Sequence, residues 1–437
     1  MTLTEEKKDE KLDLDERRKI IGRKHRFARM KVYFLVFLKW LFFAGITGTI
    51  CGLVGTAFYY CVVTANQLRG AHPYLLYFLP VAGLVIIIFY HLLHMDKDRG
   101  TNLVISSIRS KEKVPLRMMV LIFFSTTLTH LFGGSAGREG AALQIGGSIG
   151  SYVGERFKLD EKDMHMITMC GMSAVFAALF GTPLTAAIFS IEVISVGIMY
   201  YSALFPCLTA SLVAFGIAQA FKVKAEHYTI LAAPNLHAGS ALQVAVLGVV
   251  CALVSMLFCI CMHKASHLFQ EKLKNPYIRV LVGAGMIILL TLLVGNQDYN
   301  GAGSAVIERA MEGEVLPWAF LLKIAFTAIT LSVGFKGGEI VPTFFVGATL
   351  GCVIAPMLGL PASFGAALGL VGLFCGVVNC PITSMILSVE LFGSEHLLLF
   401  AIICTVSYML SGTYSLYSSQ KIVYSKIKAK YINADAR

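Results

Sequence analysis

The chain of 437 residues is poor in charge. Asp, Glu, Lys and Arg make up 14% of it, against about 25% in an ordinary soluble domain. Polar surface is scarce in general: 56% of the residues are hydrophobic before the 40 glycines are counted, and mean hydropathy is +0.71. A water-soluble fold of this length needs far more polar surface than that. The same figures exclude a disordered chain, a collagen helix and a coiled coil. The eleven cysteines include no Cys-x-x-Cys pair, and Cys259 and Cys261 have no set of histidines near them at ligand spacing. They sit mostly inside apolar runs and are expected to be small buried apolar residues, with no disulfide, metal or cofactor. A signal peptide is missing too, because the first 30 residues are strongly charged and the first apolar run, 33–60, is too long for a signal core. These absences leave an all-α polytopic membrane protein.

What charge there is gathers at the ends. Formal net charge is +11, from 37 Lys and Arg against 26 Asp and Glu. Many of the cations lie at Lys7, Lys8, Lys11, Arg17 to Lys31, and Lys421 to Lys430. Basic segments beside apolar spans read as cytoplasmic flanks held near anionic lipid rather than as a nucleic-acid surface. Both termini are therefore expected in the cytoplasm. The organisation expected is a basic segment over 1–32, a membrane transport domain over 33–424 and a short basic tail over 425–437.

A helix crossing about 30 Å of hydrocarbon needs about 20 residues. Clear candidates are 33–61, 71–93, 242–265, 277–296 and 398–411 with its flanks. Less regular ones are 117–132, 141–156, 163–180, 183–199, 201–220, 317–334, 343–359 and 364–379, several interrupted by Gly or Pro. Such segments imply discontinuous and tilted helices that start or stop inside the membrane, where protein or a watery cavity satisfies the freed backbone.

The chain also repeats itself. Phe176, Pro183, Thr185, Ser190 and Glu192 match Phe374, Pro381, Thr383, Ser388 and Glu390 at a constant offset of 198. Ahead of each block lies a glycine-rich stretch with a glutamate, GGSAGREGAALQIGG (133–147) and GFKGGEIVPTFFVGA (334–348). Two halves at about 33–220 and 240–424 thus share one design, compatible with either a parallel or an inverted relation. Transporters built this way bind their ion between the repeats.

The two glycine-rich stretches are candidate halves of such a site. Gly133, Gly134, Gly137 and Gly140 precede a helix expected to begin near Ala141, and Gly337 and Gly338 precede one expected near Pro342 or Thr343. A helix starting inside the membrane presents unpaired N–H groups and the positive end of its dipole, and glycine lets a small ligand approach that backbone. Two such starts can cage a dehydrated anion without a full positive charge, so release stays possible. Tight turns and close helix contacts are the plainer use of the same glycines. Glu139 is an expensive carboxylate at this depth; ionised it fills the anion position, protonated it vacates it, and a bound anion disfavours its charged form. Arg138 is expected to tie down structure or face a vestibule. Glu192 and Glu390 are expected to cap or bond neighbouring backbone, Glu339 sits close to the second cage, and His91, His94, His130 and His165 form no motif and read as interfacial residues. A membrane protease or acyltransferase would need a nucleophile and base; no Ser–His, Cys–His or paired-Asp set recurs at repeat-related positions, so no enzyme is expected.

The run GREGAALQIGGSIG (137–150) resembles the CLC superfamily of chloride channels and anion/proton antiporters. The resemblance extends over about 35–425 through FGTPLTAAIFSIEV (180–193), GGEIVP (337–342), NCPITSMILSVEL (379–391) and SLYSSQKIVYS (415–425). It implies a homodimer with one anion pathway in each subunit and an inverted repeat within each subunit. By motif, Glu139 is similar to the external gating glutamate and Tyr417 to the central tyrosine whose hydroxyl approaches the anion, with Tyr414 and Tyr424 as nearby alternatives. Backbone at Glu139, Gly140, Ile340 and Val341 would complete the cage, together with Gly100, Thr101 and Asn102 from the first family motif.

That first motif departs from the chloride carriers. Their Gly-Ser-Gly-Ile-Pro is replaced by Arg99-Gly100-Thr101-Asn102-Leu103-Val104. Asn102, together with Ala141 where proline usually follows GREG, is similar to the bacterial fluoride/proton antiporter branch, as is THLFGGSAGREG (129–140). Chloride exchangers commonly carry a second, inward glutamate immediately after the position of Glu192; here it is Val193. Fluoride is small and a strong acceptor, so stripping its water is costly, and the Asn102 amide, backbone N–H groups and the Tyr417 hydroxyl are donors that offset the loss. The function this implies is fluoride export coupled to proton import, gated by Glu139. A chloride channel of the voltage-gated type or a chloride/proton antiporter is the alternative. The short tail after Tyr417 carries no expectation of a nucleotide-sensing module, and a prokaryotic cytoplasmic membrane is expected.

Overall fold

The structure is a computed structural model that describes residues 3–428 and 430–436, with side chains from Arg29 onward. Met1, Thr2, Ala429, Arg437 and the side chains of 3–28, which carry most cations of the basic segment expected over 1–32, lie outside the described residues. Helix α1 (Leu3–Ala71) runs unbroken from that segment through the first span, ten residues past the expected end at 61. Its far end is tied down where Arg69 Nη1 donates to the His130 carbonyl at 2.7 Å.

The first repeat continues with α2 (Leu79–Leu92), α3 (Thr101–Ser107), α4 (Leu116–Leu131), α5 (Glu139–Arg156), α6 (Glu161–Phe180), α7 (Pro183–Glu192) and α8 (Leu204–Ala220). The expected 71–93 helix is divided, because a 3-10 turn over Pro73–Phe78 precedes Pro80, which lacks an N–H and is accommodated only in the first turn of α2. The second repeat comprises α9 (Ala238–Lys272), α10 (Pro276–Val294), α11 (Ser304–Glu312), α12 (Ala319–Ser332), α13 (Ile340–Met357), α14 (Ala362–Val378), α15 (Pro381–Phe392) and α16 (Leu397–Leu410). Among the described residues, seven helices are long and apolar enough to cross a membrane. Helices α6 and α13 are buried on nearly every side, whereas α10 turns Leu289, Leu292 and Leu293 outward, as a lipid-facing helix does.

Close backbone packing builds the core twice over. A Cβ at Gly171 would lie 2.0 Å from the Gly146 carbonyl oxygen, and one at Gly369 would lie 2.1 Å from that of Gly347. Helices α5 and α6, and α13 and α14, therefore touch along glycine stripes, the contact that drives helix association where lipid gives no hydrophobic gain.

The reciprocal caps show how the halves are related. Glu192, at the end of α7, accepts from Ile382 N–H at 3.1 Å, Thr383 N–H at 2.8 Å and Thr383 Oγ1 at 2.5 Å, at the start of α15. Glu390, in α15, accepts from Leu184 N–H at 3.0 Å and Thr185 N–H at 2.8 Å, at the start of α7. Each repeat thus supplies the carboxylate that caps the other's helix, as a two-fold relation between the halves requires.

Three short helices, α3, α11 and α15, were absent from the expected spans, and the 183–199 span stops at Glu192. Beyond it the all-α expectation is modified by a small sheet, in which β1 (Ser195–Val196) pairs in parallel with β2 (Lys421–Tyr424), and β2 pairs antiparallel with β3 (Tyr431–Asp435). Val196, Ile422 and Ala436 form its apolar side. Among the cysteines nine are buried as expected, while Cys61 is exposed and Cys261 half-buried.

Candidate functional site

The two glycine-rich loops meet. Gly137 N–H donates to the Gly338 carbonyl at 2.7 Å, and Gly338 N–H returns the bond to Gly137 at 2.8 Å, an antiparallel bridge between the repeats. No side chain fits between them: a Cβ on Gly338 would stand 2.4 Å from Gly140 N and 2.8 Å from Glu139 N. Immediately past this bridge α5 starts at Glu139 and α13 at Ile340, two or three residues earlier than the sequence suggested. The earlier starts put Glu139, Gly140, Ile340 and Val341 in the first turns, where N–H groups lack helical partners. Among the described residues, the N–H groups of Gly140 and Ile340 meet no acceptor.

Glu139 is fully buried and crosses from one repeat to the other. Its Oε2 accepts from Arg138 N–H at 3.0 Å and from Val341 N–H at 3.1 Å, in the first turn of α13. Its Oε1 is buried without a partner. The carboxylate thus holds, with one oxygen, an amide that the sequence assigned to the anion cage. The Arg138 guanidinium makes no bond to it and instead pairs with Glu226 at 2.7 Å and stacks against Tyr59 and Phe180.

Two further buried polar atoms lack partners here, Glu339 Oε2 and the Tyr417 hydroxyl. A Cβ on Gly140 would be 3.2 Å from Glu339 Oε2, and the ionisable groups facing Tyr417 are Glu339, Cys380 and Glu139. Of the alternatives, Tyr424 is exposed on β2 and Tyr414 half-buried, whereas Tyr417 is 1% exposed. Thr101 reaches the same place, its Oγ1 donating to the Gly140 carbonyl at 3.3 Å. Gly100 directs its N–H to Asp98 Oδ1 at 2.9 Å, away from the cage. Asn102 turns its Oδ1 to Ser419 N–H at 2.9 Å.

A cavity of about 440 Å³ opens onto this junction, with Arg69, His130, Arg138, Glu226, Val341 and Phe344 in its wall. His130 is a correction to the interfacial reading: it is fully buried, with Nε2 3.3 Å from the Gly137 carbonyl oxygen. Lys323 was missed altogether. Its buried ammonium donates to the Tyr299 and Gly301 carbonyls at 3.1 and 2.7 Å and lies over Phe345, fixing the loop that walls the cavity beside Asn300. On the other side of the junction Val193 is fully buried, and its carbonyl receives Gln420 Nε2 at 2.9 Å.

A helical membrane fold of two inverted halves, each aiming a helix start at one buried point, defines an ion transporter or channel of the inverted-repeat class. Residues 82–412 match the family described as voltage gated chloride channel, and the chain belongs to it. It is 38% identical, over 89% of its length and 87% of the relative's, to a chloride/fluoride channel protein of Pseudomonas syringae pv. tomato. A crystal structure of a CLC-type fluoride/proton antiporter is 32% identical with a TM-score of 0.85, covering 88% of this chain and 98% of that one. A slow cyanobacterial Cl⁻/H⁺ antiporter shares the fold alone, at 19% identity and a TM-score of 0.70 over 85% of this chain and 94% of the other.

Proposed function

We propose that the protein exports fluoride in exchange for protons, one internal fluoride for one external proton, with the anion seated between the starts of α5 and α13 and Glu139 as gate. The observation that carries this reading is the Glu139 carboxylate, which accepts the Val341 N–H across the repeat boundary with one oxygen left unpartnered. An arriving anion and that carboxylate compete for the same donors. Protonation turns Glu139 from an acceptor-only group into one that also donates, so the anion takes the amides when the glutamate carries a proton. Anion binding at the junction and protonation of Glu139 are then coupled rather than independent. Glu139, Gly140, Ile340 and Val341 are assigned the amide cage, Tyr417 the hydroxyl, and Gly100, Thr101 and Asn102 the adjoining wall.

Fluoride is favoured over chloride by Asn102 in the first motif and by the likeness to the fluoride/proton antiporter. The Pseudomonas relative is named for chloride as well as fluoride, which supports the second reading, a chloride channel or exchanger. A homodimer in the cell membrane agrees with the same family likeness. The cations of both ends favour cytoplasmic termini. Fluoride and chloride efflux from proteoliposomes, with proton uptake recorded together, tests the proposal. Fluoride efflux that drives protons inward supports it; fast chloride efflux without proton movement supports the second reading and overturns the first.

A further inference from the structure

Another cavity lies away from the anion junction. It is a groove of about 750 Å³ between α9 and α12, and every residue that lines it belongs to one of those two helices. Leu257, Cys261, Lys264 and Leu268 line it along α9, and Leu321, Ala325 and Ala328 along α12. Steps of three and four put each set on one helix face. Small residues usually let two membrane helices close up; here Cys261, Ala265, Ala325 and Ala328 line an open space instead. Leu257, Leu268 and Leu321 are between 40% and 48% exposed. The volume is that of a small-molecule site, about 300–1,000 Å³.

The lining is apolar except toward the end of α9. The run from Leu242 to Met262 carries no charge and is long enough to cross about 30 Å of hydrocarbon, so Lys264 stands where α9 leaves the bilayer core. Lys264 is exposed. His267 Nδ1 lies 3.3 Å from Glu271, whereas no carboxylate among the described residues pairs with Lys264. Lys272, Lys274 and Arg279 follow, and Glu271 is the one acid between Lys264 and Arg279. A hydrocarbon-lined groove thus ends, at headgroup depth, on an unpaired ammonium in a basic stretch.

We infer that the groove between α9 and α12 binds one anionic phospholipid, with an acyl chain between the two helices and the phosphate at the Lys264 ammonium. The chain supplies the packing contacts that an empty groove lacks. A lysine at this depth keeps its stem on apolar surface and its head in the headgroup layer. Basic pockets between membrane helices prefer anionic headgroups, whose net charge the cation offsets. The site is separate from Glu139, and its lipid is bound whichever ion the protein moves.

The test is native mass spectrometry of the full chain in detergent, titrated with phosphatidylglycerol or with phosphatidylcholine of the same acyl chains. The wild-type protein is expected to retain one phosphatidylglycerol per chain about fivefold more tightly than phosphatidylcholine, the effect of one cation at a membrane surface. Lys264→Gln removes most of that preference. Lys97, an exposed cation before α3, is the control, and Lys97→Gln leaves the preference unchanged. Ala325→Trp fills the groove from an exposed position and lowers retention of both lipids. Equal retention of the two lipids by the wild-type protein, or a loss in Lys97→Gln as large as that in Lys264→Gln, means that lipid merely coats a basic protein and overturns the inference. So does a changed oligomeric state in Ala325→Trp with lipid retention unaltered, which makes the groove a contact between copies. If Ala325→Trp does not purify folded, the comparison of the two lysine variants decides alone.

Discussion

At the residue scale the proposed site turns on one carboxylate buried between the starts of α5 and α13. Glu139 Oε2 takes the Val341 amide from the opposite repeat, so the side chain both fills the junction and reports on its protonation. Glu139→Gln keeps the size and removes the charge; it is expected to abolish proton movement while leaving anion flux that no longer varies with external pH, measured by simultaneous pH and anion electrodes. Gly338 tests the meeting of the loops. Because its Cβ would lie 2.4 Å from Gly140 N, a backbone atom with no freedom to turn away, Gly338→Ala must push the two helix starts apart. The expected cost is about 1–3 kcal/mol of stability, the range of overpacking in a tight interior, with loss of transport; a variant with normal flux and an unchanged melting temperature contradicts the close approach. Lys323 and His130 stayed hidden at this scale in the sequence, because a single buried Lys or His looks like any other until the fold brings carbonyl oxygens to it.

At the scale of elements, the helix starts and their caps carry the argument. Glu192 takes three donors from α15 and is buried, whereas Glu390 takes two from α7 and is half-buried. Glu192→Ala therefore strands buried N–H groups and is expected to cost about 2–3 kcal/mol, against about 1 kcal/mol for Glu390→Ala; thermal unfolding in detergent should rank the melting temperatures in that order. The 198-residue offset made both glutamates legible as structural residues before their partners were known. The same repeat pattern located α5 and α13 but set their starts late, since apolar periodicity begins after the polar first turn that matters most. Helices α3, α11 and α15 were lost for a related reason: at seven, nine and twelve residues they are too short for a spanning pattern. The sheet was lost because β1 has two residues and its partner lies more than two hundred residues away.

For the molecule as a whole, the linker between the halves is part of the cavity wall. Over it, Glu226 N–H donates to the Phe180 carbonyl at 3.0 Å and Tyr228 N–H to that of Leu391 at 3.1 Å, so it is bonded to both repeats. Glu226 neutralises Arg138 at the wall of the cavity. Glu226→Gln is expected to leave the guanidinium unpaired and to speed anion uptake from that side at low ionic strength, an effect that fades as salt screens it; uptake rates measured across a salt series check this. Membrane character, repeat design and a glutamate at a helix start inside the membrane were all readable from composition and motif, whereas the cavity and the linker's contacts belong to tertiary structure that no local pattern encodes. The central proposal is that anion binding and protonation of Glu139 are coupled. Its most direct measurement is proton uptake by proteoliposomes loaded with fluoride and buffered without a proton gradient. The account predicts that outward fluoride movement draws protons inward one for one, and that Glu139→Gln abolishes the uptake. Fluoride or chloride efflux with no proton uptake in the wild-type protein, or full uptake in Glu139→Gln, contradicts it.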